Sequence, residues 1–594
     1  MVERALLEVA ELRVEYGRRT VVRDVSFDIA RGRCLGIIGE SGAGKSQIFL
    51  ALLGLLPANA RVSGRARLGV SSLLGGGTTA LRGRRIAMIF QDPATALTPH
   101  LTIGQQIAEP LIEHRGMSAR DAAKEAARLL EQVRMTDVPR RLRQYPHELS
   151  GGMRQRAMIA GALAGDPELL VADEPTTALD VSVQAQILVL LRQLMTERNL
   201  TLAVVTHDMG VIAALADDVA VMRDGVVVEK GAVREVLSAP RHDYTRSLLA
   251  ATPRIDAARV TRTSVDSSGT PPLVVRHVGV RHEIRAGLFR RASLTAVDDV
   301  SFEVGAGEAV GIVGESGCGK SSLVRALLRL GPATAGEIVW LGTNVSALEP
   351  RSLRPLRAGV QIVFQDPLAS LDPSMTVADI VAEPLRALGP RMSVAERAGR
   401  VSQLLAKVGL GAEYANRGAR ELSGGQCQRV AIARAMILEP KLLVCDEAVS
   451  ALDVSIQAQV LELLAEFKRA GTAIVFVSHN LAVVRRLCER VLVMYLGRIV
   501  EAGPVDDVFA APRHPYTRLL LDSVPRLTPD AARGQLAAAV VSGETPSAME
   551  RPSGCEFRTR CPAALPACAE RRPEAEAAGK SREVACWRWR DLAT

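Results

Sequence analysis

Residues 39–46 read GESGAGKS, and residues 314–321 read GESGCGKS. Both fit the pattern G-x-x-x-x-G-K-[ST], in which glycines let backbone N–H groups surround phosphate oxygens at the start of a helix. The two lysines, Lys45 and Lys320, are 275 positions apart. A second match in nearly the same context indicates an internal duplication, so the sequence predicts two nucleotide sites.

Each loop is expected to bind ATP together with Mg²⁺. Lys45 and Lys320 are expected to neutralise charge on the β- and γ-phosphates, and Ser46 and Ser321 to ligate Mg²⁺. The predicted ATP-binding residues of the two loops are Gly39, Ser41, Gly42, Gly44, Lys45, Ser46, Gly314, Ser316, Gly317, Gly319, Lys320 and Ser321.

Four further motifs occur once in each copy, in the same order. They are IFQDP and VFQDP, LSGGMRQR and LSGGQCQR, LLVADEP and LLVCDEA, and VVTHD and FVSHN. The offset between the copies drifts only from 275 to 272 residues, so nearly a whole unit is repeated. We therefore predict a first ATPase domain at 1–254, a linker at 255–272, a second ATPase domain at 273–525 and an unrepeated extension at 526–594.

Short apolar runs that end in polar residues predict an α/β fold. CLGIIGE leads into the first loop, and ELLVADEP and TLAVVTHD resemble buried parallel strands. Between Gln91 and Ser150, SARDAAKEAARLLEQV has helical periodicity, which predicts a helical subdomain inserted into the core. The predicted fold class is therefore two tandem α/β P-loop ATPase domains, each with a helical subdomain, plus a small cysteine-containing extension.

An apolar strand that ends in Asp-Glu places two carboxylates at the carboxyl edge of the sheet, where ligands bind in open α/β sheets. Asp173 and Asp446 are expected to hold Mg²⁺ through water, and Glu174 and Glu447 to polarise the attacking water. Such a pair on its own is more often a solvated strand end. Its place behind a phosphate loop favours the catalytic interpretation.

Histidine and glutamine end other predicted strands at matched positions. The recurrence of His207 and His479 favours a γ-phosphate contact over a packing or capping role. Gln91 and Gln365 are expected to contact the metal and the attacking water. The predicted Mg²⁺ ligands are Ser46, Gln91 and Asp173 in one copy, and Ser321, Gln365 and Asp446 in the other.

The two LSGG motifs are a second anion-binding feature, because a serine followed by two glycines begins a predicted helix. An anion site so far from the phosphate loop is expected if two ATPase units face each other and each closes the other's nucleotide. The predicted ATP contacts of these motifs are Ser150, Gly151, Gly152, Ser423, Gly424 and Gly425.

The set of phosphate loop, Gln, LSGG, Asp-Glu, ALD and His, present twice in that order, resembles the ATP-binding subunits of ABC transporters. The resemblance covers nearly the whole chain. It implies a head-to-tail sandwich, in which Ser423 and Gly425 complete the site of the first loop, and Ser150 and Gly152 complete that of the second. Tyr16 lies where this family stacks an aromatic ring on adenine.

The two copies depart from the family pattern in different ways. His282 takes the place of the adenine-stacking aromatic residue in the second copy. Ala448 follows the catalytic Glu447, where Pro175 follows Glu174 in the first copy. Neither copy loses a catalytic residue, so we expect two competent but unequal sites.

Further segments resemble the peptide and nickel import branch of the family. They are FQDPATALTPHLTIGQQIAEPL, FQDPLASLDPSMTVADIVAEPL, and RHPYTRLLL followed by GCEFRTRCP. This likeness implies an ATPase that powers peptide uptake, with glutathione or nickel as alternative cargo. The implied partners are two transmembrane permeases and an extracytoplasmic substrate-binding protein, which place the chain at the cytoplasmic face of the cell membrane.

Four of the nine cysteines lie in the extension, at Cys555, Cys561, Cys568 and Cys586. In a reducing cytosol such a cluster favours metal over disulfides. Four thiolates suit zinc or a [4Fe–4S] cluster, and the spacing is not that of a common zinc finger. The likeness to the import extension favours the iron–sulfur cluster, with zinc as the alternative.

The composition disfavours other classes of protein. An aromatic share of 3% argues against stacking platforms for single-stranded nucleic acid. The apolar runs fall short of the roughly 20 residues of a membrane helix, and the N-terminus lacks a signal-peptide core. The net charge of +9 fits a solvated arginine-rich surface. A twin-cassette ATPase acting on ribosomes or DNA is the alternative, disfavoured by the short, mildly charged linker.

Overall fold

The computed structural model describes residues 5–75, 78–177, 179–255, 269–285, 291–449, 452–538, 543, 546–547, 549–579 and 581–592. The chain divides into two compact units. The first is Met1–Thr252 with Ser523–Val540, and the second is Pro253–Asp522 with Val541–Thr594. Within the described residues, every helix is too short or too polar to cross a membrane.

The strands of the first unit form two sheets. They are β1 (Ala5–Tyr16), β2 (Arg19–Ala30), β3 (Cys34–Ile38), β4 (Ala60–Leu68), β5 (Ser71–Ser72), β6 (Ile86–Ile89), β7 (Leu169–Asp173), β8 (Thr201–Thr206), β9 (Asp218–Arg223) and β10 (Val226–Ala232). An antiparallel sheet has the order β2-β1-β4-β5, and a six-stranded sheet has the order β10-β9-β3-β8-β7-β6.

The six-stranded sheet carries the predicted chemistry. Its strands β3, β9, β8, β7 and β6 run parallel, and only β10 is antiparallel. Every residue of β3, β7 and β8 is buried, as expected for short apolar strands covered on both faces. Because parallel strands end at one edge, this sheet brings the residues that follow β3, β7 and β8 together.

Helices cover the sheet and form the predicted helical subdomain. They are α1 (Lys45–Leu52), α2 (Pro93–Ala96), α3 (Ile103–Arg115), α4 (Ala119–Gln132), α5 (Val138–Arg141), α6 (Gly151–Leu163), α7 (Val181–Arg198), α8 (Met209–Leu215), α9 (Val233–Ser238) and α10 (Asp243–Ala251). Helices α3, α4 and α6 pack against one another through residues such as Ile107, Leu111 and Leu130. A hydroxyl cap begins each of the three, at Thr102, Ser118 and Ser150.

The second unit repeats this plan and extends it. Its strands are β11 (Leu273–Arg285), β12 (Arg291–Val304), β13 (Ala309–Val313), β14 (Ala335–Trp340), β15 (Thr343–Asn344), β16 (Val360–Val363), β17 (Leu442–Asp446), β18 (Ala473–Val477), β19 (Arg490–Tyr495), β20 (Arg498–Pro504), β21 (Glu576–Ala577) and β22 (Glu583–Val584). The sheet orders are β12-β11-β14-β15 and β16-β17-β18-β13-β19-β20-β22-β21. The two strands from the C-terminal extension therefore lengthen the main sheet.

Except for α12, the helices described in the second unit fall at positions that match helices of the first. They are α11 (Lys320–Leu327), α12 (Pro350–Leu353), α13 (Pro367–Ser370), α14 (Val377–Ala387), α15 (Val394–Lys407), α16 (Gly424–Met436), α17 (Val454–Arg469), α18 (Leu481–Leu487), α19 (Val505–Ala510) and α20 (Pro515–Asp522). The extension adds α21 (Pro529–Ala538) and α22 (Ala567–Glu570). Helices α14, α15 and α16 form the second helical subdomain.

The tandem α/β fold with helical subdomains is confirmed. The extension is divided between the two units, which the sequence did not indicate. Helix α21 packs against α8 and α7 of the first unit, where Ala532 is buried. Arg533 forms an ion pair with Asp217 at 3.0 Å. The predicted linker at 255–272 lies largely outside the described residues. The domain boundaries given above stay predictions.

Candidate ATP sites

Each phosphate loop connects a buried parallel strand to a helix N-terminus. The loop after β3 ends at Gly44, the N-cap of α1, with φ +90°, and the loop after β13 ends at Gly319, the N-cap of α11, with φ +106°. A Cβ at Gly319 would lie 2.1 Å from the carbonyl oxygen of Ala296. The left-handed backbone and the close approach together require glycine, which explains the spacing of the motif.

The loop lysines are buried and point back over their own loops. Lys45 Nζ donates to the carbonyl oxygens of Gly39 and Glu40, each at 2.8 Å. Lys320 Nζ donates to those of Gly314 at 2.7 Å and Glu315 at 3.0 Å. The ammonium group is thus held inside the loop, next to the helix N-terminus that favours phosphate.

The aspartates that end β7 and β17 lie beside the loops. Ser46 Oγ donates to Asp173 Oδ1 at 2.9 Å, so two predicted metal ligands already meet in the first unit. In the second unit the buried Oδ1 of Asp446 has no hydrogen-bond partner among the described residues. A buried carboxylate oxygen without a donor is a costly arrangement that a cation or its bound water relieves. The residues therefore fit Mg²⁺.

Glu174 is the centre of the hydrogen-bond network in the first unit. Its carboxylate accepts from Gln91 Nε2 at 2.8 Å and from Thr177 Oγ1 at 2.9 Å, and lies 3.1 Å from His207 Nδ1. Its φ is +46°, an unusual value for a residue with a side chain, and its N–H donates to Val205 at 2.7 Å. The turn after β7 thus aims the carboxylate at the ends of β6 and β8.

Glu447 repeats this arrangement in the second unit. Gln365 Nε2 donates to its Oε2 at 2.9 Å, and His479 Nδ1 lies 3.5 Å from its Oε1. Its φ is +49°, and its N–H donates to Val477 at 3.0 Å. The same backbone strain at both glutamates marks a position that the fold determines and the site uses.

The pKa values of the two acids in each Asp-Glu pair are shifted in opposite directions. Burial, together with the neighbouring Glu174, raises the pKa of Asp173 to about 6, and burial and Glu447 do the same for Asp446. Burial also raises the pKa of Glu174, but the hydrogen bond and charge of His207 outweigh it and hold the pKa at about 2. His479 likewise lowers the pKa of Glu447. Each glutamate is therefore an ionised acceptor at neutral pH.

Tyr16 and His282 occupy equivalent places in the two units. Tyr16 OH donates to Gln47 Oε1 at 2.6 Å, and His282 Nε2 lies 3.4 Å from Ser322 Oγ. Gln47 and Ser322 follow the loop serines on α1 and α11. The pairing supports the alignment of His282 with Tyr16, and their contacts with adenine stay predictions.

The LSGG serines act as helix caps within their own units. Ser150 accepts from the N–H of Met153 at 3.3 Å, and Ser423 from that of Gln426 at 3.4 Å. A Cβ at Gly152 would lie 2.6 Å from Val183 Cγ1, and one at Gly425 would lie 2.7 Å from Ile456 Cδ1. Both motifs therefore have a local structural reason, and their contacts with ATP stay predictions.

Three contributions to the sites were missed in the sequence. Thr177 donates to Glu174, although a threonine three residues after the acid gives no distinct signal. Tyr244 and Tyr516 accept from the loop N–H groups of Glu40 and Glu315, at 3.2 and 2.8 Å. The sequence repeats YTR at both tyrosines, but this repeat does not indicate that the tyrosine hydroxyls contact the phosphate loops.

The family model described as "ABC transporter" matches residues 22–177 and 297–450. The chain belongs to the ABC transporter family. A second model, described as the C-terminal region of oligopeptide/dipeptide transporters, matches residues 228–277 and 500–568. This ABC protein therefore has two cassettes and the extension of the peptide and nickel importer branch, and it is an ATPase coupled to import.

The curated relatives of this ABC protein match along nearly its full length. "Glutathione import ATP-binding protein GsiA" of Escherichia coli (strain K12) is 46% identical over 562 residues, 89% of each chain. The protein of the same name from Pectobacterium atrosepticum is 44% identical over 583 residues, 92% of this chain and 93% of that one. A solved chain titled "Dimeric Structure of MJ0796, a Bacterial ABC Transporter Cassette" is 28% identical, with a TM-score of 0.37, and covers 39% of this chain and 98% of that chain.

The four cysteines of the extension lie near one another in this ABC protein. The N–H of Cys555 donates to the carbonyl oxygen of Cys568 at 2.7 Å. Burial raises the pKa of Cys555 to about 12 and that of Cys586 to about 11, and the neighbouring thiols add to both shifts. In the described part of the chain, no three Cys, His, Asp or Glu side chains are arranged to hold a metal ion. The four thiols are suitable metal ligands, but they do not form a complete ligand set in this structure.

Proposed function

We propose that this ABC protein hydrolyses ATP at both loops to drive uptake of short peptides, and that the tripeptide glutathione is the first substrate to test. The observation that carries the proposal is the similarity to glutathione import proteins along 89–92% of the chain. The match to the C-terminal region of oligopeptide and dipeptide transporters supports the wider class. Nickel is the remaining alternative within this importer branch.

The geometry around each loop fits in-line attack of water on the γ-phosphate. Glu174, ionised and held by Gln91 and His207, accepts a hydrogen bond from the attacking water and orients it. Lys45 and the loop N–H groups stabilise charge on the phosphates. Ser46, Asp173 and Gln91 would hold Mg²⁺, which would supply further positive charge to the phosphates. In the second unit the corresponding roles belong to Glu447, Gln365, His479, Lys320, Ser321 and Asp446.

The partners follow from the proposed import role. ABC import requires membrane permeases, and we propose two of them together with an extracytoplasmic substrate-binding protein. The chain then lies at the cytoplasmic face of the cell membrane and is held there by the permeases. Co-purification of the chain with its permeases in detergent, and its loss from membranes when they are deleted, are the expected results.

The substrate is tested by uptake of labelled compounds into cells. Deletion of the gene is expected to abolish uptake of labelled glutathione, and the intact gene is expected to restore it. The Glu174→Gln/Glu447→Gln variant is the matched control, because it retains the fold and lacks the groups that orient water. Loss of dipeptide or oligopeptide uptake alone assigns the wider class, and loss of Ni²⁺ uptake alone contradicts the peptide proposal.

For the extension we propose that Cys555, Cys561, Cys568 and Cys586 bind a [4Fe–4S] cluster, with zinc as the alternative. Neighbouring thiols add to the raised pKa values of Cys555, Cys561 and Cys586, and this short-range effect supports the proposal. Iron and sulfide analysis with a visible spectrum of protein purified without oxygen tests it. Stoichiometric zinc without iron selects the alternative, and absence of both metals contradicts it.

A further inference from the structure

An arginine of the C-terminal extension reaches the second phosphate loop. Arg560, which precedes Cys561, donates to Glu315 through both terminal nitrogens, with distances of 2.6 Å to Oε2 and 2.8 Å to Oε1. The side chains are only 2% and 1% exposed. Glu315 is the second residue of the loop GESGCGKS. This is a bidentate, buried ion pair between the extension and the predicted ATP site.

Every polar group of Glu315 takes part in a hydrogen bond. Its N–H donates to Tyr516 OH at 2.8 Å, and its carbonyl oxygen accepts from Lys320 Nζ at 3.0 Å. Its carboxylate takes the two bonds from Arg560. Because the carbonyl that receives the loop lysine belongs to the residue that Arg560 holds, a shift of Glu315 also displaces Lys320.

An aromatic cluster fixes the direction of Arg560. The rings of Tyr495, Tyr516 and Phe557 lie 4.6–5.4 Å from one another. The guanidinium carbon of Arg560 is 5.8 Å from the Phe557 centroid and 6.0 Å from that of Tyr495. Phe557 comes from the extension, so the same segment supplies both the arginine and part of its packing.

The first unit has a different arrangement around the corresponding loop glutamate. Arg223, the counterpart of Tyr495, lies over the Tyr244 ring at 5.0 Å, so a cation comes from the cassette itself. Glu40, the counterpart of Glu315, is only half-buried. In the second unit the cassette has a tyrosine at this place, and the positive charge comes from the extension.

We infer that Arg560 is a positioning residue for the second ATP site, which makes ATP binding there dependent on the docked extension. Without Arg560, the carboxylate of Glu315 is a buried charge without its main partner, beside the place where phosphates bind. It repels ATP and releases the loop. The inference rests on the proposed role of residues 314–321 in binding ATP, and it assigns the extension a function in the ATPase.

The test measures ATP affinity one site at a time in the full chain. In the Lys45→Ala background, which leaves the second site, Arg560→Gln is expected to weaken ATP binding about tenfold or more. In the Lys320→Ala background, which leaves the first site, the same substitution is expected to change nothing. Arg560→Lys keeps the charge without the planar fork, so an intermediate affinity is expected.

Two controls separate positioning from general damage to the extension. Arg558→Gln changes a neighbouring half-buried arginine that contacts Ser553. Arg582→Gln breaks a second buried anchor of the extension, at Glu501 of β20, and leaves the Arg560–Glu315 pair in place. Arg558→Gln is expected to leave both affinities unchanged. Arg582→Gln is expected to weaken ATP binding less than Arg560→Gln, because Arg560 still holds Glu315. An equal loss in Arg582→Gln, with an extension as resistant to proteolysis as that of the unaltered chain, overturns the inference.

A double variant keeps the test informative if Arg560→Gln folds poorly. Glu315→Gln/Arg560→Gln removes both charges, so it is expected to recover part of the lost affinity relative to Arg560→Gln. Unchanged affinity in Arg560→Gln, or no recovery in the double variant, overturns the inference. If Lys320→Ala does not weaken ATP binding in the otherwise unaltered chain, the loop is not an ATP site and the proposed function fails instead.

Discussion

The glutamates after β7 and β17 combine a positive φ, ionisation at neutral pH and contacts from both glutamine and histidine. A structural carboxylate does not need this combination. A carboxylate that must point at a water molecule at the carboxyl edge of the sheet does need it. The backbone sets the direction of the carboxylate, and the histidine keeps it charged. We therefore propose that catalysis depends on Glu174 in the first unit and on Glu447 in the second.

Replacement of these acids is expected to stop hydrolysis without loss of ATP binding. Glu174→Gln and Glu447→Gln each keep the size of the side chain and remove the charge that orients water, so hydrolysis at the altered site is expected to fall about 100-fold or more. Steady-state phosphate release and ATP binding check this. Glu131→Gln, on the exposed face of α4, is the matched control. Full hydrolysis in a variant shows that its glutamate is not catalytic.

The buried aspartate has a cost that depends on pH. The pKa of Asp173 rises from 3.8 to about 6 on folding, chiefly through burial. Above pH 6 the native state carries the buried charge, and below pH 4 both states are protonated. In metal-free protein, Asp173→Asn is therefore expected to raise the free energy of unfolding by about 3 kcal/mol at pH 7.5.

That gain is expected to vanish as the pH falls from 6 to 4. Thermal unfolding of wild type and Asp173→Asn in EDTA across this range checks the prediction. ATP hydrolysis in the variant is expected to be lower despite its greater stability, because asparagine is a weaker Mg²⁺ ligand. A constant difference in stability at all pH values contradicts the assignment of the cost to ionisation.

At the scale of elements, carboxylates just before β9 and β19 link helices to the central strands. Glu489 accepts from the N–H of Ala309 in β13 at 2.8 Å and pairs with Lys468 of α17 at 2.7 Å. Its counterpart Asp217 accepts from the N–H of Cys34 at 3.0 Å and pairs with Arg533 of α21. Asp217 also pairs with Arg192 of α7, the counterpart of α17, at 3.9 Å. The first unit therefore adds a cation from the extension to one from the matching helix.

Loss of the buried cation in the second unit is expected to be strongly destabilising. Lys468 is 1% exposed and also donates to Leu487, so Lys468→Met removes the Lys468–Glu489 ion pair at 2.7 Å. A loss of about 3 kcal/mol in unfolding free energy is expected. Chemical denaturation checks it. Lys468→Met/Glu489→Gln is the control and is expected to be more stable than the single variant, and equal stability contradicts the ion-pair argument.

At the scale of the whole molecule, the segment after the second cassette serves both units. Helix α21 and Arg533 pack within the first unit, while β21, β22, Arg560 and Arg582 pack within the second. Strand β22 pairs with β20 at Glu501–Val584 and covers what is otherwise a sheet edge. The cysteine-containing part of the extension is thus a structural part of the second unit, and α21 is part of the first.

Removal of the last part of the chain is expected to lower the stability of the second unit alone. A chain that ends at residue 545 lacks β22 and both buried arginines, so Glu315 loses Arg560 and Glu501 loses Arg582. Calorimetry is expected to show one transition shifted down by at least about 4 °C. The transition of the first unit serves as the internal control. Two unshifted transitions contradict the prediction.

The sequence determined the duplicated α/β ATPase fold and the residues around each phosphate loop. Those features depend on short patterns that carry their own physics, such as glycines at left-handed φ, a strand that ends in Asp-Glu, and a serine that caps a helix. The tertiary structure alone decided how Arg533, Arg560 and Arg582 are used. Their partners lie 81 to 316 residues away in the sequence, and the charge of an arginine gives no sign of which buried carboxylate it neutralises.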